Sequence, residues 1–407
     1  MLASRLPRPR LLAAGATRRA YAAVIDLAAV EAAAERIGPH VHRTPVMHCT
    51  ALDERSGYRL HFKCESLQKT GSFKIRGATN AIFSLSDEDA ARGVVTQSSG
   101  NHGMAVALAA RLRGVEAHVV VPENTPACKQ DAIQGYGATL VHSGNTMAER
   151  EAKVTPLAPA PCGPAAPAPG PLAAWLTPAP RRQAEEVIAQ TGGTLVHPYN
   201  APDVMAGQGT MALELLAQVS ELEGAPTLDA IVVPVSGCGM VSGIAVAAKT
   251  LHPGLKVIAA EPRGANDQAD VAESLSAGEL IGPASSGTAL PPIPAPATIC
   301  DGLRGHMKDL TWAVVEEWVD GAVAVSDTEV VEAMGLVYER AKLVVEPSAG
   351  VGLAAVLNPS FREAVGPEAK NIGVILCGGN IDLARFIELM DSDVAMQELQ
   401  EAGIAPA

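Results

Sequence analysis

From about Ile25 onward, short apolar runs alternate along the chain with longer stretches whose apolar residues recur at helical spacing. VEAAAERIG, Val30 to Gly38, has the Ala/Ile spacing of a helix closed by glycine. ARGVVTQSS predicts a short buried strand, GNHGMAVALAARLRG an Ala-rich helix ending at Gly114, and VEAHVVVPEN the next strand. CKQDAIQGYG reads as a short helix and ATLVHSG as a strand. LDAIVVPVSG, LKVIAAEPRG and KNIGVILCGGN are apolar strands that run into glycine-bearing loops, with helices between them. Strands alternating with helices of this length specify an α/β fold with parallel sheets. Ligands in such folds bind beyond the carboxyl ends of the strands, the edge at which SSGNHG, VSGCGM and CGGN all fall.

Two stretches break the pattern. Val154 to Arg181 holds nine of the thirty prolines and a single charge, Arg181. Proline at that density forbids helix and central strand and predicts an extended or disordered excursion. GPASSGTALPPIPAPA, Gly282 to Ala297, is a milder loop. Joined without 154–181, EREAK and RQAEEVIAQTGG read as one amphipathic helix, with Ala148, Ala152, Ala184, Val187 and Ile188 on one face. At the other end, Arg5, Arg8, Arg10, Arg18 and Arg19 precede the first acid, Asp26, which reads as a mitochondrial transit peptide or a disordered tail. The expected compartment is therefore mitochondrial or cytoplasmic.

At 407 residues and 48% hydrophobic content, the chain can build two domain cores. A formal charge of −13, with no basic patch carrying interleaved aromatics, argues against nucleic-acid partners. No apolar run reaches membrane-spanning length. Seven cysteines, never spaced C-x-x-C, suit reduced thiols better than a disulfide framework.

KTGSFKIRGATNA, Lys69 to Ala81, sets Lys74 between Phe73 and Ile75. A lone lysine near a helix start is usually solvated. Between apolar neighbours it can instead be partly desolvated, its pKa lowered, and ready to form a Schiff base. VPVSGCGMVSGIAVAAK runs from a strand through a small-residue turn, Ser236 to Gly239, into a helix near Met240, and its N–H groups suit a monophosphate. Neither a G-x-x-x-x-G-K-[ST] loop nor the dinucleotide fingerprint is present. A monophosphate cradle, a desolvated lysine and loops at one sheet edge together point to pyridoxal phosphate.

SFKIRG, SSGNHG, VSGCGM, VEPSAG and ILCGGN stand in the order found in β-family (fold type II) pyridoxal-phosphate enzymes. From about residue 28 to about residue 385 the chain resembles the serine racemases and serine/threonine dehydratases of that family. The resemblance implies a cofactor cleft between a large domain (25–92 and 201–395) and a small one (93–200, with the 154–181 insertion), with tails at 1–24 and 396–407. It implies a homodimer acting on a small amino acid, serine or threonine. It makes Lys74 the Schiff-base lysine, sets Asn101 on the cofactor's 3′-oxygen, and places Ser236, Gly237, Cys238, Gly239 and Met240 around the phosphate. The relatives have four glycines where this chain reads SGCG, a change tolerable if Ser236 and Cys238 keep negative φ. Tyr199, in HPYN, stands where many racemases have asparagine. Cys377 takes the position facing the pyridine nitrogen; read alone, it is equally a small core cysteine. A neutral partner there makes a weaker electron sink and suits loss of a β-hydroxyl.

Racemases and dehydratases part at SSGN. Racemisation needs a proton carrier on each face of the α-carbon, and the resemblance gives one face to Lys74 and the other to Ser99, where dehydratases usually have alanine. Read alone, Ser99 could simply satisfy backbone groups in a tight turn. Ser98, Ser99, Asn101, His102 and Arg150 are implied to hold the substrate, Arg150 through its guanidinium. Glu261, the Ala265 carbonyl and Asp267 match a site for Mg²⁺, Ca²⁺ or Mn²⁺. Glu31, Lys69, Thr70, Tyr136, Lys342 and Asn380 match positions that bind ATP as an activator in animal racemases, although Met104 replaces the glutamine that usually follows GNHG. The expected activity is interconversion of L- and D-serine with side elimination to pyruvate and ammonia. One alternative is a serine/threonine dehydratase, favoured by Cys377. Another is a catalytically weakened amino-acid-binding homologue, favoured by the insertion and the altered phosphate loop.

Overall fold

The computed structural model describes residues 24–98, 100–123, 125, 127–143, 178–281 and 297–391. The larger of two sheets runs, edge to edge, β1 (Val46–Met47), β2 (Arg59–Cys64), β10 (Asn371–Leu376), β7 (Ala230–Pro234), β8 (Lys256–Pro262) and β9 (Gly321–Val325). Apart from the antiparallel β1–β2 pair, its neighbours are parallel. The smaller sheet runs β5 (Thr139–Ser143), β4 (Ala117–Pro122), β3 (Val94–Gln97) and β6 (Thr194–Leu195), all parallel. Parallel strands are covered on both faces, so β7 and β10 read as unbroken apolar runs rather than alternating ones. Two helices on the large sheet, Pro202–Ser220 and Gly239–Leu251, cross at Gly209 and Gly243, where a Cβ on Gly243 would run into the Met205 carbonyl.

The predicted strands and helices of the first paragraph all form, and β1, β2, β6 and β9 are additions. β2 is hidden because RLHFKC looks half charged, yet His61 and Lys63 are fully buried. Lys63 is satisfied there by the Thr44 carbonyl (2.7 Å), Glu214 (2.6 Å) and Gln218 (2.9 Å). Glu214 also takes two bonds from the buried Arg76, which donates as well to both oxygens of Glu65, to Thr210 Oγ1 and to the His42 carbonyl. This network ties the helix Lys74–Phe83 to the body of the larger sheet. The helix's Ile75, Ala78 and Ile82 pack instead with Val106, Val119 and Ile133 under the small sheet. The lysine helix therefore bridges the two bodies.

The prediction of a helix-free segment through Arg181 fails at its end, since a helix spans Pro178–Thr191. The first N–H groups of a helix have no intrahelical partner, so Pro178 and Pro180 are tolerated in its first turn. Ala184 and Val187 are buried and Ile188 half-buried against Val95, Val120 and Val141, the face that the spacing predicts. Residues 144–177, with Ala148 and Ala152, lie outside the described residues, as do 282–296 and both ends.

Candidate active site

Parallel register fixes where the chain leaves the large sheet. Leu376 of β10 is level with Cys64 of β2, and Val374 with Val232 of β7. Cys377, the turn 235–239 and the Lys74 segment therefore emerge at one edge, facing Ser98, Gly100 and Asn101 beyond β3. Together they line a cleft of about 700 Å³.

Lys74 opens its helix with its amine in this cleft, donating to the Pro198 carbonyl at 3.0 Å and lying 5.0 Å from the centre of the Phe73 ring. Burial pulls its pKa down to about 8, against the opposing pull of the Glu346 carboxylate. At pH 7.5 about a quarter of such an amine is neutral, against roughly one part in a thousand for an ordinary lysine. Cys377 is buried, and burial beside Glu346 pushes its thiol well above its usual range, so it faces the cleft uncharged.

The phosphate loop corrects one expectation. Ser236 stays out of the left-handed region, but Cys238 adopts φ +64° as the residue preceding helix Gly239–Leu251. A side chain there is strained, and glycine is the usual occupant. The same turn lines the cleft, and the amides of Gly237, Cys238, Gly239 and Met240 have no acceptor among the described residues. Gly237 and Gly239 lie against Tyr199, where a Cβ would meet its ring or its carbonyl. Ser236 Oγ accepts from the Gly305 amide at 2.9 Å and closes the loop from the other side. Free amides at a helix N-terminus beside a partly neutral lysine fit a phosphate-bearing aldehyde cofactor.

Asn101 is held by partners that the sequence did not suggest. Its amide donates to both oxygens of Glu346 (2.8 and 3.1 Å), and its oxygen accepts from Asn380 (2.8 Å), which also donates to the Thr70 carbonyl (2.7 Å). Burial raises the Glu346 pKa to about 7, against the Asn101 bond. Ser98 lines the cleft and accepts from the Gly100 amide at 3.3 Å. His102 bonds the Val196 carbonyl at 3.0 Å, and burial holds its pKa near 3, so it is a neutral ring at working pH. Ser99 and Arg150 lie outside the described residues.

The two carboxylates among the cation candidates are engaged by other partners. Both Glu261 oxygens accept from the Val271 and Ala272 amides at 3.0 Å, capping helix Asp270–Ala277. The exposed Asp267 carboxylate is paired with Arg263 at 2.9 Å, and the Ala265 amide bonds the Ala297 carbonyl. No group of three metal-binding side chains occurs among the described residues. Of the ATP candidates, Thr70 and Asn380 touch, with Lys69 adjacent. Lys342, at φ +60°, lines a recess of about 510 Å³ with Tyr338, Glu339 and Arg340. Tyr136 lies 5.7 Å from the Arg111 guanidinium, and Glu31 is exposed on helix Leu27–Ile37.

Comparison with known proteins completes the picture. Residues 37–378 match the family described as "Pyridoxal-phosphate dependent enzyme". A serine racemase of Arabidopsis thaliana is 44% identical over 369 residues, 90% of this chain and 96% of its own length. The structure of maize serine racemase aligns at a TM-score of 0.75 and 40% identity, covering 92% of this chain and 99% of the other. The processed form of threonine deaminase isoform 2 from Solanum lycopersicum aligns at a TM-score of 0.72 and 25% identity, covering 97% and 99%.

Proposed function

The chain belongs to the pyridoxal-phosphate-dependent enzymes, and on that premise we propose that it interconverts L-serine and D-serine, with elimination of serine to pyruvate and ammonia as a side reaction. The observation that carries this reading is the likeness to serine racemases along nine-tenths of the chain. Lys74, Asn101, the amides of 237–240 and Cys377 would hold the cofactor. When bound, it supplies a carbonyl for the lysine amine and a conjugated ring that draws electron density from the substrate's α-carbon.

The chain's own residues do the rest. Lys74 Nζ, neutral in useful proportion at its lowered pKa, takes the α-proton on one face. Ser99 Oγ returns a proton on the other face, and Arg150 binds the substrate carboxylate. Ser98 and the neutral His102 shape the turn against which the substrate lies. A second reading, a serine/threonine dehydratase, is favoured by the uncharged Cys377: loss of hydroxide needs proton removal on the lysine face alone.

Two finer features belong to the proposal. The enzyme acts as a homodimer. ATP activates it through Lys69, Thr70, Asn380 and Lys342, a role supported by the direct link from Asn380 to Asn101. The divalent cation is left out of the mechanism, because Asp267 would first have to leave Arg263. A Mg²⁺-dependent rise in melting temperature that Asp267→Ala abolishes would restore it.

The test is chiral separation of the products formed from L-serine by the holoprotein. D-serine and pyruvate together are expected, pyruvate alone would favour the dehydratase, and neither would leave a binding protein. Lys74→Ala should abolish both products and the cofactor's visible absorbance; turnover in that variant would sink the assignment.

A further inference from the structure

Helix Ala127–Gly135 packs into the small-sheet core through Ala132 and Ile133. From it Lys129 Nζ reaches across the cleft and donates to Asp301 Oδ2 at 2.6 Å. Asp301 opens the short turn Asp301–Leu303, and Leu303 sits in the large-sheet core. The bond therefore joins the two bodies, and both residues line the active-site cleft. Their side chains are 31% and 52% exposed, whereas the bonds from Asn101 end on Glu346, which is 4% exposed. The Asn101 bonds form the buried floor of the cleft. Lys129 and Asp301 span its rim.

From this geometry we propose that Lys129 and Asp301 are a clasp that holds the small domain shut over a bound amino acid. They are a positioning pair, acting through Lys74 and Asn101, and the inference rests on the reading of this cleft as an amino-acid site. An exposed ion pair adds little to folding stability, since water and salt screen it. Its effect on an opening equilibrium is proportionally larger. Open and closed arrangements of the same two folded bodies differ by few contacts, so one pair can shift their populations several-fold. Closure expels water and brings the lysine and the facing turn to the α-carbon together, which the reaction needs on both faces. At the rim the bonded charges stand between the two bodies, where water reaches both side chains. If Lys129 instead bound substrate directly, the charge on Asp301 would compete with the substrate, and removing it would tighten binding.

The full-length holoprotein is compared with Asp301→Asn, Lys129→Met, the two combined, and the reversal Lys129→Asp/Asp301→Lys. Amide hydrogen exchange over 127–135 and 297–305 reads closure directly, while KM and kcat for L-serine read its consequence. Each single variant should speed exchange in both segments and raise KM roughly two- to five-fold, the shift available to an exposed pair, with kcat less affected. The combined variant should be no worse than either alone, and the reversal should return both readouts toward wild type. Raising salt to about 1 M should raise the wild-type KM but not that of the single variants. Additive single effects, a lower KM in Asp301→Asn, or a reversal that keeps the cofactor's visible absorbance without recovering closure would overturn the clasp. Should Asp301→Asn not fold, Lys129→Met and the reversal carry the same comparison. Should wild-type protein not turn over L-serine, the proposed function fails, while hydrogen exchange still decides the clasp.

Discussion

At the residue scale, two of the cleft groups held away from their ordinary state give direct tests. Cys238 is one. It occupies a left-handed conformation that costs a non-glycine residue roughly 1–2 kcal/mol, partly offset because glycine loses more entropy on folding. Cys238→Gly should therefore raise the melting temperature and tighten cofactor binding, read by calorimetry and by cofactor titration. A drop in both would mean that the thiol, which bonds the Ser236 carbonyl at 3.3 Å, does more for the loop than its strain takes away. Glu346 is the other. Burial raises its pKa from 4.5 to about 7 in the folded chain, so between those values the native state binds the proton more tightly than the unfolded one. Stability of the cofactor-free protein should accordingly fall as pH rises from about 4.5 through about 7, by up to about 3 kcal/mol, and then level off. Glu346→Gln should flatten that slope in urea titrations across the range. An unchanged slope would assign it to other groups.

At the scale of elements, legibility followed the range of the interactions involved. β7, β8 and β10 were readable because each is a local apolar run ending in a proline- or glycine-bearing loop. β2 was not, because Lys63 is neutralised by Glu214, 151 residues away, and no local pattern announces such a partner. Lys74 and the phosphate loop stood out from their immediate neighbours. Glu346 did not: VEPSAG marks the segment, but only the fold turns its carboxylate onto Asn101. The strain at Cys238 is likewise a backbone property that residue type alone leaves open. The helix Pro178–Thr191 shows the opposite limit, since proline density overrode a helix signal that begins within the proline-rich stretch. That stretch also yields a prediction. In a helix continuous with EREAK, Pro178 and Pro180 would be interior and disruptive. Removing Val154 to Arg181 should therefore leave melting temperature equal or higher and the KM for L-serine equal or lower. Unfolding or a raised KM would give the insertion a role.

At the scale of the whole molecule, two parallel sheets present their strand ends to one cleft, and the lysine helix is anchored in both bodies. Its Arg76 is bonded to Glu214 in the body of the larger sheet, while Ile75 and Ile82 are packed under the smaller one. A small-domain movement would thus be felt at Lys74 itself. Such an arrangement suits chemistry that needs proton carriers on both faces of one carbon, provided that the turn after β3 supplies the second. The products of Ser99→Ala from L-serine, separated chirally, test that requirement most directly. Inversion needs both faces and elimination only the lysine face, so D-serine should fall by about 100-fold or more while pyruvate remains within about tenfold of wild type. Equal loss of the two products, or undiminished D-serine, would contradict the two-face mechanism.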